Sequence, residues 1–152
     1  MTRNAKHALA TALVAALAVA GASVATSSMD VIKERQHTMK DIGGAMKKLS
    51  AIAKEEAPFD AAVVEKNAGI IADSLKKVAD LFPEGSDKGE VETWAKPEIW
   101  SDHADFEKKR ETAESKAVAL RSVAAEPAFG PALGELGKAC KNCHETYRRP
   151  KD

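Results

Sequence analysis

Leu133-Gly134-Glu135-Leu136-Gly137-Lys138-Ala139-Cys140-Lys141-Asn142-Cys143-His144-Glu145-Thr146-Tyr147 carries two patterns in one segment. Leu133, Leu136, Cys140, Cys143 and Tyr147 recur at three- and four-residue steps, the spacing of one face of an α-helix. Within that face lies Cys-x-x-Cys-His, the spacing for covalent attachment of a c-type haem. On a helix the thiols of Cys140 and Cys143 and the imidazole of His144 project to one side, where a single flat macrocycle can meet all three. The thiols would add across two vinyl groups as thioethers, and His144 would supply the proximal iron ligand. Cys140 and Cys143 are the only 2 cysteines of the chain, so no disulfide framework competes for them. A zinc site would need about four ligands, and His37 and His103 stand in separate segments without paired spacing. A thioredoxin-like dithiol would need a strand before its helix, and no strand pattern precedes Cys140.

Three more helical faces lie upstream. In Asp30 to Glu55, Ile32, Met39, Met46 and Ala53 recur every seventh residue, with Arg35, Ile42 and Leu49 interleaved, which is an apolar seam with one charged member. Pro58 and Asp60 open a second segment whose Val64, Ala68, Ile71, Leu75, Val78 and Phe82 mark one face until Phe82-Pro83-Glu84-Gly85-Ser86 ends it. The stretch from Pro83 to Lys96, rich in Gly, Ser, Asp and Glu, reads as a surface crossover. Ile99, Phe106, Ala113, Ala117, Leu120 and Ala124 give a third face, broken at Glu126-Pro127, and the haem-motif segment is the fourth, stopped by Pro150. Four such segments without a strand predict an all-α four-helix bundle, whose core is a common place for a cofactor. The inner positions are rich in Ala, so a buried haem would add apolar area that the side chains lack.

The front of the chain has the order of a secretory signal peptide: Arg3 and Lys6, an apolar run from Ala8 to Ala20, then small residues. That run is too short to span a bilayer, where roughly 20 residues are needed. Cleavage is expected after Ala22 or Ala25, leaving residues 26–152 as one bundle domain exported to the periplasm. Loss of residues 1–25 removes Arg3 and Lys6 from 23 basic residues and nothing from 23 acidic ones, so the formal charge becomes about −2. The remaining Lys and Arg are scattered among Glu and Asp, with no basic patch of the kind that binds nucleic acid.

Around this frame stand Arg35-Gln36-x-x-Met39-Lys40, Phe59-Asp60, Phe82-Pro83-x-Gly85, Ala95-Lys96-Pro97-Glu98-Ile99-Trp100-Ser101-Asp102 and Cys140-Lys141-Asn142-Cys143-His144-x-x-Tyr147-Arg148. In this order, from about Val31 to Arg149, they resemble the cytochrome c prime family, including its low-spin relatives. The resemblance implies an up-down-up-down bundle with one covalently bound haem c per chain in its core. It also implies that Arg35 and Gln36 contact the haem, and Arg35, the odd charge on its seam, suits a propionate through bidentate pairing. The other role for Arg35 is that of an edge residue whose head reaches water. Trp94 sits where the family's crossover loop touches the haem edge. Arg148, four residues after His144, is placed either beside the proximal imidazole or in solvent at the helix end.

Met39 lies four residues after Arg35 on the same face, with Gly43 four further on, so its thioether is expected on the distal side of the haem. In cytochrome c prime that position shields the iron without binding it, leaving a five-coordinate, high-spin iron. The favoured expectation is therefore a protein that binds nitric oxide or carbon monoxide and passes electrons. In the low-spin relatives a Met at this position is the sixth ligand, which makes a His/Met one-electron carrier the alternative. Met39 as plain core filler is a third possibility. No enzymatic turnover is expected, since a peroxidase would want a distal acid-base group and His37, two residues from Met39, faces away. The resemblance also implies a homodimer through the first two helices, for which Ala45, Leu49, Ile52 and Ile70 are candidates. The redox partner protein is not named by the chain.

Overall fold

The computed structural model describes residues 28–123 and 125–150. The signal segment expected at residues 1–25, its cleavage points, and Ala124 of the third face lie outside the described residues. Four long helices form the bundle: α1 (Ser28–Ala53), α2 (Ala61–Val78), α4 (His103–Arg121) and α5 (Glu126–Tyr147), with a one-turn α3 (Glu98–Ser101) in the crossover. They follow one another up, down, up and down. No described helix is long and apolar enough to cross a membrane.

Local chemistry sets the ends of these helices. At the end of α1, Glu55 takes a left-handed φ of 59°. Its N–H donates to the Ile52 carbonyl at 3.0 Å, and the Glu56 N–H donates to that of Ala51 at 2.9 Å, the paired pattern that satisfies the last carbonyls of a helix. Asp60 caps α2, its Oδ1 accepting from the Ala62 N–H at 2.8 Å. The third face is divided: Ile99 belongs to α3, and Asp102 interrupts the chain before Phe106 and the rest continue on α4. Glu126 and Pro127 are the first turn of α5 rather than a bare break, because proline costs nothing where the N–H has no helical partner.

Helix α2 packs on α1 and α4, α4 packs on α5, and α1 and α5 touch at few points. The large core joins Ile42, Leu49, Val64, Ile71, Leu120, Phe129 and Leu136. A second cluster at the crossover end holds Val78, Ile99, Phe106 and Tyr147. Its rings stack edge to face, with Phe82 and Phe106 at 4.9 Å between centroids and Phe106 and Tyr147 at 5.4 Å. Buried Arg110 on α4 is met by Glu107 at 2.7 Å and by Glu114. Of the stripe expected at a dimer face, Ala45, Leu49 and Ile52 are at most 8% exposed within the single chain and belong to its own core, whereas Ile70 is 36% exposed. The larger core explains this, since those three sit on the side of α1 that α2 covers.

Tyr147 is buried, and its hydroxyl donates to Asp105 Oδ2 at 2.7 Å. That bond, and after it the bond from Lys109, holds the Asp105 carboxyl below the usual aspartate range. A depressed carboxylate stabilises the fold above its unfolded pKa and loses that contribution as pH falls through the folded one. Tyr147→Phe should therefore move the Asp105 midpoint upward and start acid unfolding at a higher pH, which carboxyl NMR and a pH titration of helicity would follow. An unchanged Asp105 midpoint would refute this.

Candidate haem site

Helix α5 presents Cys140 and Cys143 half-buried, both as free thiols. Cys140 packs on the large core and Cys143 on the crossover-end cluster. Burial pushes both thiols up, Cys143 to about 11 with Cys140 as the next cause, so both are protonated near neutral pH. His144 is exposed on the next position round the helix. Its imidazole is held below the usual histidine value, first by desolvation and then by the charge of Arg148, which favours the neutral form that binds metals.

Across from this face stands α1. Met39 is half-buried and packs against both clusters, those of Cys140 and of Cys143. Met46, two turns on, packs on the large core. Beside them on α1 and α5, a Cβ added at Gly43 or Gly137 would meet nothing within 4 Å. The space between α1 and α5 is thus a groove with a thioether on one wall, two thiols and an imidazole on the other, and no bulky side chain at these glycines.

Arg35 is 3% exposed. Its Nη2 donates to the Ser86 carbonyl at 2.6 Å and to Thr93 Oγ1 at 3.0 Å, and its Nη1 to Ser86 Oγ at 3.2 Å. The guanidinium also lies 4.9 Å from the Phe82 ring centre and 5.7 Å from that of Trp100. Desolvation lowers its pKa to about 10, partly offset by Asp87, so it stays charged at neutral pH. The structure therefore adds to the expected propionate role a second one: Arg35 fastens the crossover to α1. Gln36 does the same next door, its Nε2 donating to the Glu92 carbonyl at 2.6 Å.

The far end of the crossover is fastened to α5. The Lys96 N–H donates to the Tyr147 carbonyl at 3.0 Å and the Arg149 N–H to the Trp94 carbonyl at 2.8 Å, with Ala95 and Arg148 forming an antiparallel bridge between them. Trp94, half-buried, is thereby held beside the end of the haem-motif helix. Arg148 is not a helical residue one turn beyond His144, as its spacing implied. It caps α5 in extended backbone and is exposed, because pairing with Ala95 draws it out of the helix. Sequence reading missed Ser86 and Thr93 as partners of Arg35. Gly85, at φ 79°, marks the turn that delivers Ser86, but no local pattern announces Thr93.

A haem fits this groove. Its donor set is a Cys-x-x-Cys-His face opposite a thioether, and at one end stands buried Arg35, which no carboxylate pairs with among the described residues. A bundle with this site defines a cytochrome, a haem protein. The family model described as Cytochrome C' matches residues 30–148. The cytochrome c' of Rhodopseudomonas palustris is 37% identical over 141 residues, covering 92% of this chain and 96% of that protein. Cytochrome c-556 of Agrobacterium fabrum is 37% identical over 122 residues, covering 79% and 82%. A solved structure, the nitric oxide complex of a mutant cytochrome c prime from Alcaligenes xylosoxidans, is similar with a TM-score of 0.74 at 27% identity, over 82% of this chain and 98% of that one. The chain belongs to the cytochrome c' family.

Proposed function

We propose that the chain is a periplasmic one-electron carrier with one haem c per chain, attached through Cys140 and Cys143, its iron held by His144 on one side and Met39 on the other. The observation that carries this reading is Met39, which packs on the clusters of both cysteines and is the soft donor that α1 turns toward them. When bound, the haem supplies a one-electron iron couple, and a His/Met pair raises its potential. Arg35 and Gln36 hold the crossover and would stand near a propionate, Trp94 would cover the haem edge, and Arg148 places positive charge beside the His144 imidazole. No substrate is turned over in this reading. Export rests on the leader pattern of residues 1–25. Dimerisation through the first two helices would use exposed Val63 and Ile70 on α2.

The open-site reading, in which Met39 is a wall and the iron binds nitric oxide or carbon monoxide, comes second. The nitric oxide complex of the solved relative favours it. The order differs from the sequence expectation, and what supports the change is that the Met39 side chain packs against the clusters of both cysteines. The optical spectrum of the holoprotein, ferric and ferrous, with and without carbon monoxide, separates the two. A low-spin spectrum indifferent to the gas is expected. A high-spin ferrous spectrum that changes readily with carbon monoxide would overturn Met39 ligation in favour of the open site.

A further inference from the structure

Lys109 of α4 does not reach freely into water: its side chain is 22% exposed. It lies one turn after Asp105 on the same face of the helix, and its Nζ sits 3.1 Å from Asp105 Oδ2. The same oxygen accepts from the Tyr147 hydroxyl at 2.7 Å. Tyr147 stands one turn beyond Cys143 on α5, and the two pack in the crossover-end cluster together with Phe106 of α4. A row of contacts thus runs from the ammonium through one carboxylate and one phenol to the side of the haem motif. With four rotatable carbons a lysine ordinarily keeps its head in solvent, so a partner fixed from the neighbouring helix decides where this one points.

The charges of α4 that reach the Cys143 sulfur can be ranked. After burial and Cys140, Lys109 acts on that thiol most strongly and pulls it down, ahead of Asp105 and Glu107, which push it up. Glu107 is itself met by Arg110 at 2.7 Å. The ammonium is therefore the leading ionised group at Cys143, and the carboxylate that holds it there opposes it less strongly. An ion pair of this exposure adds little to stability. Its chief effect is to place a charge.

We propose that Lys109, fixed by Asp105 and Tyr147 beside Cys143, raises the reduction potential of the haem attached there, with Asp105 as its positioning residue. The inference rests on the haem reading above and holds whether or not Met39 binds the iron. Reduction adds one electron to the iron, and a cation held nearby favours the ferrous form by Coulomb attraction. A lysine swinging in water would lose most of that influence to solvent and salt. Asp105 therefore has two effects of opposite sign: its own charge favours the ferric form, and its grip on Lys109 favours the ferrous one.

The test is a redox titration of the holoprotein at neutral pH and low salt, read as the ratio of ferrous to ferric protein at a fixed ambient potential. Lys109→Gln should lower that ratio severalfold, where tenfold corresponds to about 59 mV for one electron. Lys109→Arg, which keeps the charge, should preserve most of it, and Lys76→Gln, an equal loss of charge at an exposed position of α2, should move it far less. In an Asp105→Asn background the shift caused by Lys109→Gln should shrink to less than half, and this coupling isolates the positioning role from the field of Asp105 itself. Carboxyl NMR of the same holoprotein gives a second reading: Lys109→Gln should raise the Asp105 midpoint, because the bond from Lys109 helps to hold it down. A ratio that Lys109→Gln leaves unchanged or raises, or one that falls equally in both backgrounds, would overturn the proposal. An alkaline pyridine spectrum reports the thioether-bound haem. Its absence would defeat the haem reading and this inference with it, whereas its presence with an unmoved ratio would defeat the role of Lys109 alone.

Discussion

Met39→Ala should convert the iron from low-spin to high-spin and lower its reduction potential by roughly 0.1 V or more, a fraction of the ~0.8 V range that axial ligands span. Met39 packs against the clusters of both Cys140 and Cys143. Its neighbour one turn on, Gly43, leaves space in which the thioether can swing. Truncation to Ala removes that donor without a close substitute: Met46, two turns on, packs on the large core alone, and His37 is exposed and turned toward Asp41 at 3.5 Å. The readouts are the ferric and ferrous optical spectra, electron paramagnetic resonance of the ferric form, and a redox titration. Faster carbon monoxide binding with spin state and potential unchanged would mean that Met39 is a steric wall, and would sink the carrier reading.

Arg35→Met should cost about 3 kcal/mol, because the Ser86 carbonyl and Ser86 Oγ lose the guanidinium donor, Thr93 Oγ1 keeps only the Ala95 N–H, and each unmatched buried group costs roughly 1–3 kcal/mol. For a domain of this size that corresponds to a fall in Tm of roughly 10 °C. The loss should be local as well as global. Amide exchange in the crossover around Ser86, Thr93 and Ala95 should speed up more than exchange in the middle of α2 or α4. Arg35→Lys should recover little, since an ammonium cannot reach the Ser86 and Thr93 acceptors with one planar fork. Unchanged stability and crossover protection in Arg35→Met would show that the guanidinium serves something other than the loop.

The parts of the molecule legible in the sequence are those written in local spacing. The heptad of Ile32, Met39 and Met46 placed α1, the Pro58 and Asp60 start placed α2, and the three- and four-residue steps through Cys140 placed α5. Arg35 stood out because a charge on an apolar seam is improbable unless something meets it. What met it was not legible: Ser86 and Thr93 lie 51 and 58 residues away in an irregular segment, and hydrogen bonds across such distances leave no period. The same cause moved Arg148, whose backbone is set by a bridge to Ala95 rather than by helical continuation. Ala45, Leu49 and Ile52 misled for a different reason. A helix covered on two sides carries a wide apolar stripe, and width alone does not say whether a second chain or the same chain covers it.

The groove between α1 and α5 is secured at both ends. At one end the crossover joins Arg35 to Thr93 and Trp94 to Arg149. At the other, Phe59 before α2 meets Phe129 of α5 edge to face at 5.8 Å. Two walls pinned top and bottom do not part as rigid bodies, so admission to the space between them falls to single side chains. With Met39 as a ligand, the clock for entry would be the breaking of its own bond to the iron rather than any parting of the two helices.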